Sequence, residues 1–247
     1  MTFLVSVLAL FAVAAGLSLI EALVRPTRTD WLRNLAIWGV YTLATLTLLP
    51  VLARLGPSSL IDGAALPAWL GIPLFVVLRD LLEFAYHRAQ HQVPVLWSIH
   101  SLHHSDPEMS ALTAMRHYWA DPVIKGMTIW PLALLILKPT FAMLFLYAMI
   151  SLYHFFVHAR LPVGFGRWSW LLNAPAYHRR HHSSLPEHYN SNFAALFPIF
   201  DVICGTYRRP EGFPPTGLDR APQSIVDIVF WPIRHDRPTA RTAAATA

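Results

Sequence analysis

Long apolar runs alternate along this chain with short polar knots, and the runs are of a length that builds helices able to cross a bilayer. Phe3 to Leu23 is the first, close to the ~20 residues that span the hydrocarbon core. It lacks the basic flank of a cleaved leader and is expected to be retained. Leu35 to Leu52 predicts a second span. Leu70 to Leu82 predicts a third, which runs on as a helix past Asp80 and Glu83 to His87 and His91. Val123 to Leu137 and Phe141 to Phe156 are separated at Lys138-Pro139 and predict a helical hairpin that enters the membrane and returns. From Gly164 onward the chain is more polar. Pro232 to Ala247, rich in Pro, Arg, Thr and Ala, predicts a disordered tail.

These elements predict an all-α integral membrane protein. About three transmembrane helices and the hairpin would carry a His-rich helical cap, in a single domain over residues 1–231. Arg25, Arg28 and Arg33 crowd the loop after the first run, while the next loop has only Arg54 at its edge. Positive-inside counting therefore puts the first loop, and with it the histidine-bearing cap, on the cytoplasmic side.

Composition narrows the class. Hydrophobic residues make up 55% of the chain and charged residues 13%, where soluble domains carry about a quarter charged. The lone Cys204 excludes an internal disulfide and any cysteine-built zinc or iron–sulfur site, and reads as a small buried apolar side chain. The net charge of +5 rests almost wholly on scattered arginines, with no basic tract suited to nucleic acid.

Histidine carries the chemistry. Ten of the thirteen histidines fall in four clusters: His87 and His91; His100, His103 and His104; His154 and His158; His178, His181 and His182. On a helix, residues i and i+4 share a face, and the three rings of His-x-x-His-His fall within an arc of about 100°. Each cluster is expected to chelate, and imidazole suits iron, zinc and copper. Ten ligands exceed the needs of one ion, which points to two. His154 reads either as the tenth ligand or as an ordinary polar residue at the hairpin end. His117 and His188 stand apart and suit supporting roles; His235 reads as a bystander. Neutral imidazoles do not offset the charge of two cations, so Asp80, Glu83, Asp106, Glu108, Glu187 and Asp201 are candidates for the groups that orient and balance them.

Several motifs together resemble the fatty acid hydroxylase / sterol desaturase superfamily of membrane di-iron oxygenases. They are Asp80 through His91, Trp97 through Ser105, Arg116-His117, His158-Ala-Arg-Leu-Pro162, Asn173 through Ser183, Glu187-His-Tyr-Asn190 and Phe200 through Tyr207. Glu83-Phe-Ala-Tyr-His-Arg88 is similar to the alkylglycerol monooxygenase branch. Arg160 stands where many members have Asn, which bears on subfamily more than on the metals.

The resemblance implies that His87, His91, His100, His103, His104, His158, His178, His181 and His182, with His154, hold two iron ions, and that Asn190 belongs to the supporting groups. It implies O2-dependent hydroxylation or desaturation of a sterol, fatty acyl or ether lipid taken from the bilayer. No dinucleotide loop is visible, so electrons are expected from a separate ferredoxin, rubredoxin or cytochrome b5-like donor. Arg179, Arg180, Arg208 and Arg209 could dock an acidic donor or touch anionic lipid. Trp97, Trp119, Phe155, Phe156, Trp168 and Trp170 read as a substrate wall or as ordinary helix packing. The short, Ala- and Arg-rich chain fits a bacterial inner membrane. Against this stand a di-haem cytochrome, a zinc protease, for which no His-Glu-x-x-His exists, and a histidine-rich metal transporter or metal-binding protein, whose path would place acids and histidines at mid-span.

Overall fold

A computed structural model describes residues 2–24, 31–52 and 58–234. Two long helices, α1 (Thr2–Val24) and α2 (Trp31–Leu52), are followed by α3 (Ala68–Gln92), α4 (Pro94–His104), α5 (Asp121–Met127), α6 (Ile129–Ile136) and α7 (Phe141–His158). Short helices complete the described chain: α8 (Pro175–His181), α9 (Ile199–Ile203), α10 (Ile225–Val229) and α11 (Trp231–Arg234). The described part is mostly helical. Its named strands, β1 (Ile61–Asp62) and β2 (Leu137–Lys138), form one parallel two-residue pairing.

Proline sets the breaks that matter. A residue before proline disfavours the helical region, and Val93 before Pro94 is extended, with φ −98° and ψ 117°. Helix α3 therefore ends at Gln92, and α4 restarts at once with proline in its first turn, where no donor is lost. The bend folds α4 back so that His100 and His104 face His91. Ala174 before Pro175 is likewise extended and launches α8.

The long helices form at each of the first three expected positions, but their span character differs. Among the described residues only Phe141–His158 is long and apolar enough to cross a membrane by length and composition, with Ala12–Val24 a shorter apolar segment. α2 includes Arg33, Asn34 and several threonines, and α3 includes Arg79, Asp80 and Glu83. The stretch at 123–137 is not one helix, because Thr128 is non-helical at φ −121° and ψ −85°, its hydroxyl donating to the Ile124 carbonyl. α6 and α7 both pack on α3, and Trp130 meets Tyr147 edge-on. Leu23, Leu43, Trp69, Leu74, Phe141 and Phe145 leave α1, α2, α3 and α7 with exposed apolar faces.

Pro232, expected to open the tail, lies inside α11, where the Trp231 indole donates to the Ser101 hydroxyl at 2.8 Å. The tail beyond Arg234, His235, Arg25, Arg28 and Arg54 lie outside the described residues, and with Arg25, Arg28 and Arg54 goes most of the positive-inside count. Cys204, expected to be buried, is exposed, because it follows the short surface helix α9.

Candidate metal centre

Nine of the ten clustered histidines meet in two groups, and in each group the ligand atoms lie within 4.8 Å of one another. The first holds His87 and His91 from α3, His100 and His104 from α4, and His181 from α8. The second holds His103 from α4, His158 from α7, and His178 and His182 at α8. The expectation that a His-x-x-His-His motif chelates as a unit is corrected here. In α4 the i, i+4 pair His100 and His104 joins the first group while His103 joins the second. In α8 His178 and His182 join the second while His181 crosses to the first. The reason is angular: at 100° per residue i and i+4 diverge by only about 40°, whereas adjacent residues diverge by about 100°.

Backbone carbonyls orient the rings. The Nδ1 atoms of His87, His158 and His181 lie 2.6, 2.6 and 2.9 Å from the carbonyls of Phe193, His154 and Ser191. His103 Nδ1 lies 3.3 Å from the Arg116 carbonyl. A carbonyl can only accept, so each Nδ1 carries the proton and each Nε2 presents a lone pair inward. Facing Nε2 atoms are 3.0 Å apart for His87 and His100, 3.1 Å for His158 and His103, and 2.9 Å for His178 and His158. Ligands at right angles around a first-row ion, about 2.1 Å from it, would sit about 3 Å apart. His182 Nε2 is buried with no hydrogen-bond partner, a cost that a metal would remove. Donor chemistry, spacing and this orphan atom all fit metal binding.

Burial keeps the rings neutral. It pushes His87 down to about 4 and holds His100, His103, His178 and His182 well below the usual histidine range, helped by neighbouring imidazoles or, for His103, His117. Neutral imidazole is the ligating form.

The supporting residues act mostly through the backbone. Asp201 accepts from the N–H groups of Phe193 and Ala194 at 2.9 and 2.8 Å and from the Thr206 and Tyr177 hydroxyls, which fixes the carbonyl that holds His87. Asp80 accepts from Leu196 and Phe197 at 2.9 and 2.8 Å, on the same loop. Glu83 is held between Arg79 at 2.8 Å and Lys125 at 2.9 Å, without a hydrogen bond to a cluster ring. His117 stacks on His103, with centroids 4.8 Å apart and planes 10° apart. His188 bonds the Ser183 hydroxyl at 2.9 Å. Asn190 adopts the left-handed φ of 55° one residue before Ser191, so its part is to turn the chain. Of the aromatic wall, Trp97 packs on His91 and His104, whereas Trp168 and Trp170 are exposed.

His154 joins neither group; its carbonyl holds His158 and its ring lines a separate cavity. Sequence reading missed the carbonyls of Phe193, Ser191 and Arg116, since any residue has one. It named Asn173 only as part of a motif and gave it no role; its amide donates to the carbonyls of Ala194 and Ala195. Asn34 escaped it, and Ser105 was named only within a motif; both accept from the buried Arg116 guanidinium.

Residues 72–206 match the family model for fatty acid hydroxylase, a stretch that holds both histidine groups. This chain belongs to the fatty acid hydroxylase family. Within it, the chain is 34% identical to the alkylglycerol monooxygenase of Xenopus tropicalis over 128 residues, 52% of this chain and 28% of that protein. It is 32% identical to the human alkylglycerol monooxygenase over 132 residues, again 52% of this chain and 28% of the other. The ornithine lipid hydroxylase OlsE of Rhizobium tropici is 25% identical over 145 residues, 58% of this chain and 44% of that protein. No solved structure matches this member of the family.

Proposed function

We propose that this protein is an integral-membrane, O2-dependent lipid monooxygenase in which the two histidine groups hold one iron each. What carries the reading is the pair of all-imidazole groups, each within 4.8 Å and each drawing on α4 and α8, in a chain whose relatives are named monooxygenase and lipid hydroxylase. His87, His91, His100, His104 and His181 would hold one ion and His103, His158, His178 and His182 the other. Bound iron would supply the redox chemistry needed to activate O2. The net reaction inserts one oxygen atom into a C–H bond and releases the other as water, using two electrons and two protons. A separate donor protein of the ferredoxin, rubredoxin or cytochrome b5 class would provide the electrons.

The chain's own contribution is positional. Carbonyls aim the rings, eight of the nine histidines are buried and so keep water away, and the exposed apolar faces of α1, α2, α3 and α7 suit a bilayer from which a lipid enters. Three spans with the histidine cap on the cytoplasmic side are part of this proposal, and so is an inner membrane of bacterial type. Hydroxylation is favoured over desaturation by the names of both kinds of relative.

The test is detergent-purified protein, with metal counted per chain and O2-dependent oxidation assayed with a reductant on an alkylglycerol and an ornithine lipid. About two non-haem irons per chain with one oxidised lipid is the expected result. Iron-loaded protein that oxidises neither lipid and consumes no O2 would overturn the reading.

A further inference from the structure

Between α3 and α7 lies a cavity of about 20 Å³, lined by Val76, Asp80 and Glu83 on one side and Tyr147, Ile150, Ser151 and His154 on the other, with Ala195 and Leu196 at one end. It has room for one water-sized group. Both linings follow helical periodicity, and each helix continues from the cavity into the metal centre. His87 is one turn past Glu83 and His158 one turn past His154, a rise of about 6 Å in each case. Of the nine grouped histidines, His87 alone is not fully buried. Leu74, Val77, Leu144 and Met149, on the same two helices, are exposed and apolar. The cavity thus lies between two helices that carry both exposed apolar residues and ligands of the two histidine groups.

Its polar groups are unequally engaged. The Asp80 carboxylate is taken by two backbone N–H groups. Glu83 is balanced by Arg79 and Lys125 and is also touched by the Tyr147 hydroxyl at 3.4 Å. Ser151 donates to the Tyr147 carbonyl at 3.0 Å, which leaves its oxygen as an acceptor. The His154 ring makes no hydrogen bond and no ring contact among the described residues, yet it lines the cavity. A free imidazole beside a hydroxyl acceptor suits a partner that both donates and accepts. With Arg79 and Lys125 already committed to Glu83, no cation remains to balance a phosphate, and both Asp80 oxygens are already occupied by backbone N–H groups; an unpaired anion here would be costly.

We infer that this cavity is a polar subsite in which His154 and Ser151 hold one uncharged hydroxyl of the lipid substrate, so that His154 positions the substrate and is not a metal ligand. The inference rests on the monooxygenase reading and deepens it.

The test pairs two lipids with two proteins. A hexadecylglycerol carrying a diazirine on the alkyl carbons next to its glycerol head is photolysed with iron-loaded protein, and the labelled residues are mapped. Competition by unlabelled hexadecylglycerol is then compared with that of its two analogues that each lack one free hydroxyl. Labelling is expected on residues 147–154 and 195–196. One deoxy analogue should compete about 10-fold more weakly than the parent in the native protein, the order expected for the loss of the hydroxyl's hydrogen bonds, and that difference should shrink in His154→Ala, where only Ser151 remains. Metal per chain should be unchanged in His154→Ala and His154→Gln, which also shows that the variants fold. Labelling elsewhere, a loss of metal in His154→Gln, or equal competition in the native protein, as for a cavity that holds only water, would overturn the inference. Labelling at this cavity without any lipid oxidation would leave the subsite standing and sink the monooxygenase reading instead.

Discussion

At the scale of single residues, the two groups make separable predictions. His103 and His181 sit in helices shared by both groups but serve opposite ones. His103→Ala and His181→Ala should each abolish lipid oxidation and lower bound iron, which metal analysis and Mössbauer spectra of iron-57 protein would read. Full turnover with unchanged metal in either variant would refute its role as a ligand. Asp201 acts at one remove, holding Phe193 and Ala194 through their N–H groups. Asp201→Ala strands several buried donors and should cost about 1–3 kcal/mol or more, seen as a lower melting temperature in detergent. The histidines were legible because their spacing matches the helical period. The carbonyls that orient them were not, because a backbone carbonyl leaves no mark on sequence.

Among elements, the join between β1, β2 and α7 locks the turn at 137–140 to the entry of α3. Leu60 N–H donates to the Leu135 carbonyl at 2.7 Å, Ile61 pairs with Leu137 and Asp62 with Lys138. Gly63 makes this approach possible: a Cβ there would stand 2.5 Å from the Lys138 carbonyl oxygen. Backbone cannot retreat as a side-chain tip can, so Gly63→Ala should destabilise the protein by about 1–3 kcal/mol. Gly71→Ala is the control. Its Cβ would meet the Met143 terminal methyl at 2.6 Å, a flexible group, and the loss in melting temperature should be smaller. The apolar pattern foretold α1, α2, α3 and α7 well. It missed the break at Thr128, although Gly126 and Pro131 on either side already weaken a continuous helix there. The Val93-Pro94 break was written in the sequence, but its consequence, the swing of α4 onto His91, depends on packing.

For the whole molecule, the neutral rings tie stability to pH. His87 titrates near 4 when folded and near 6.5 when unfolded. Between those values the unfolded chain binds more protons, so stability is full above about 6.5 and declines as pH falls toward 4. His100, His103, His178 and His182 shift in the same direction. The melting temperature of metal-free protein should therefore drop between pH 7 and 5 more steeply than one group would cause. A flat profile would show that the rings are more open to water than their burial implies.

The exchange of His103 and His181 between the two groups has a further consequence, for the order of assembly. Neither site can be completed from one part of the chain, because α4 and α8 each give ligands to both. Whichever ion arrives first must draw the two helices together, and in doing so it arranges most of the other pocket. The entropy of ordering is met largely once, and the second ion finds its ligands waiting. Half-filled molecules should then be scarce: cobalt(II) added to metal-free protein should give mostly empty and doubly filled species in native mass spectra, with the singly filled form below its statistical share.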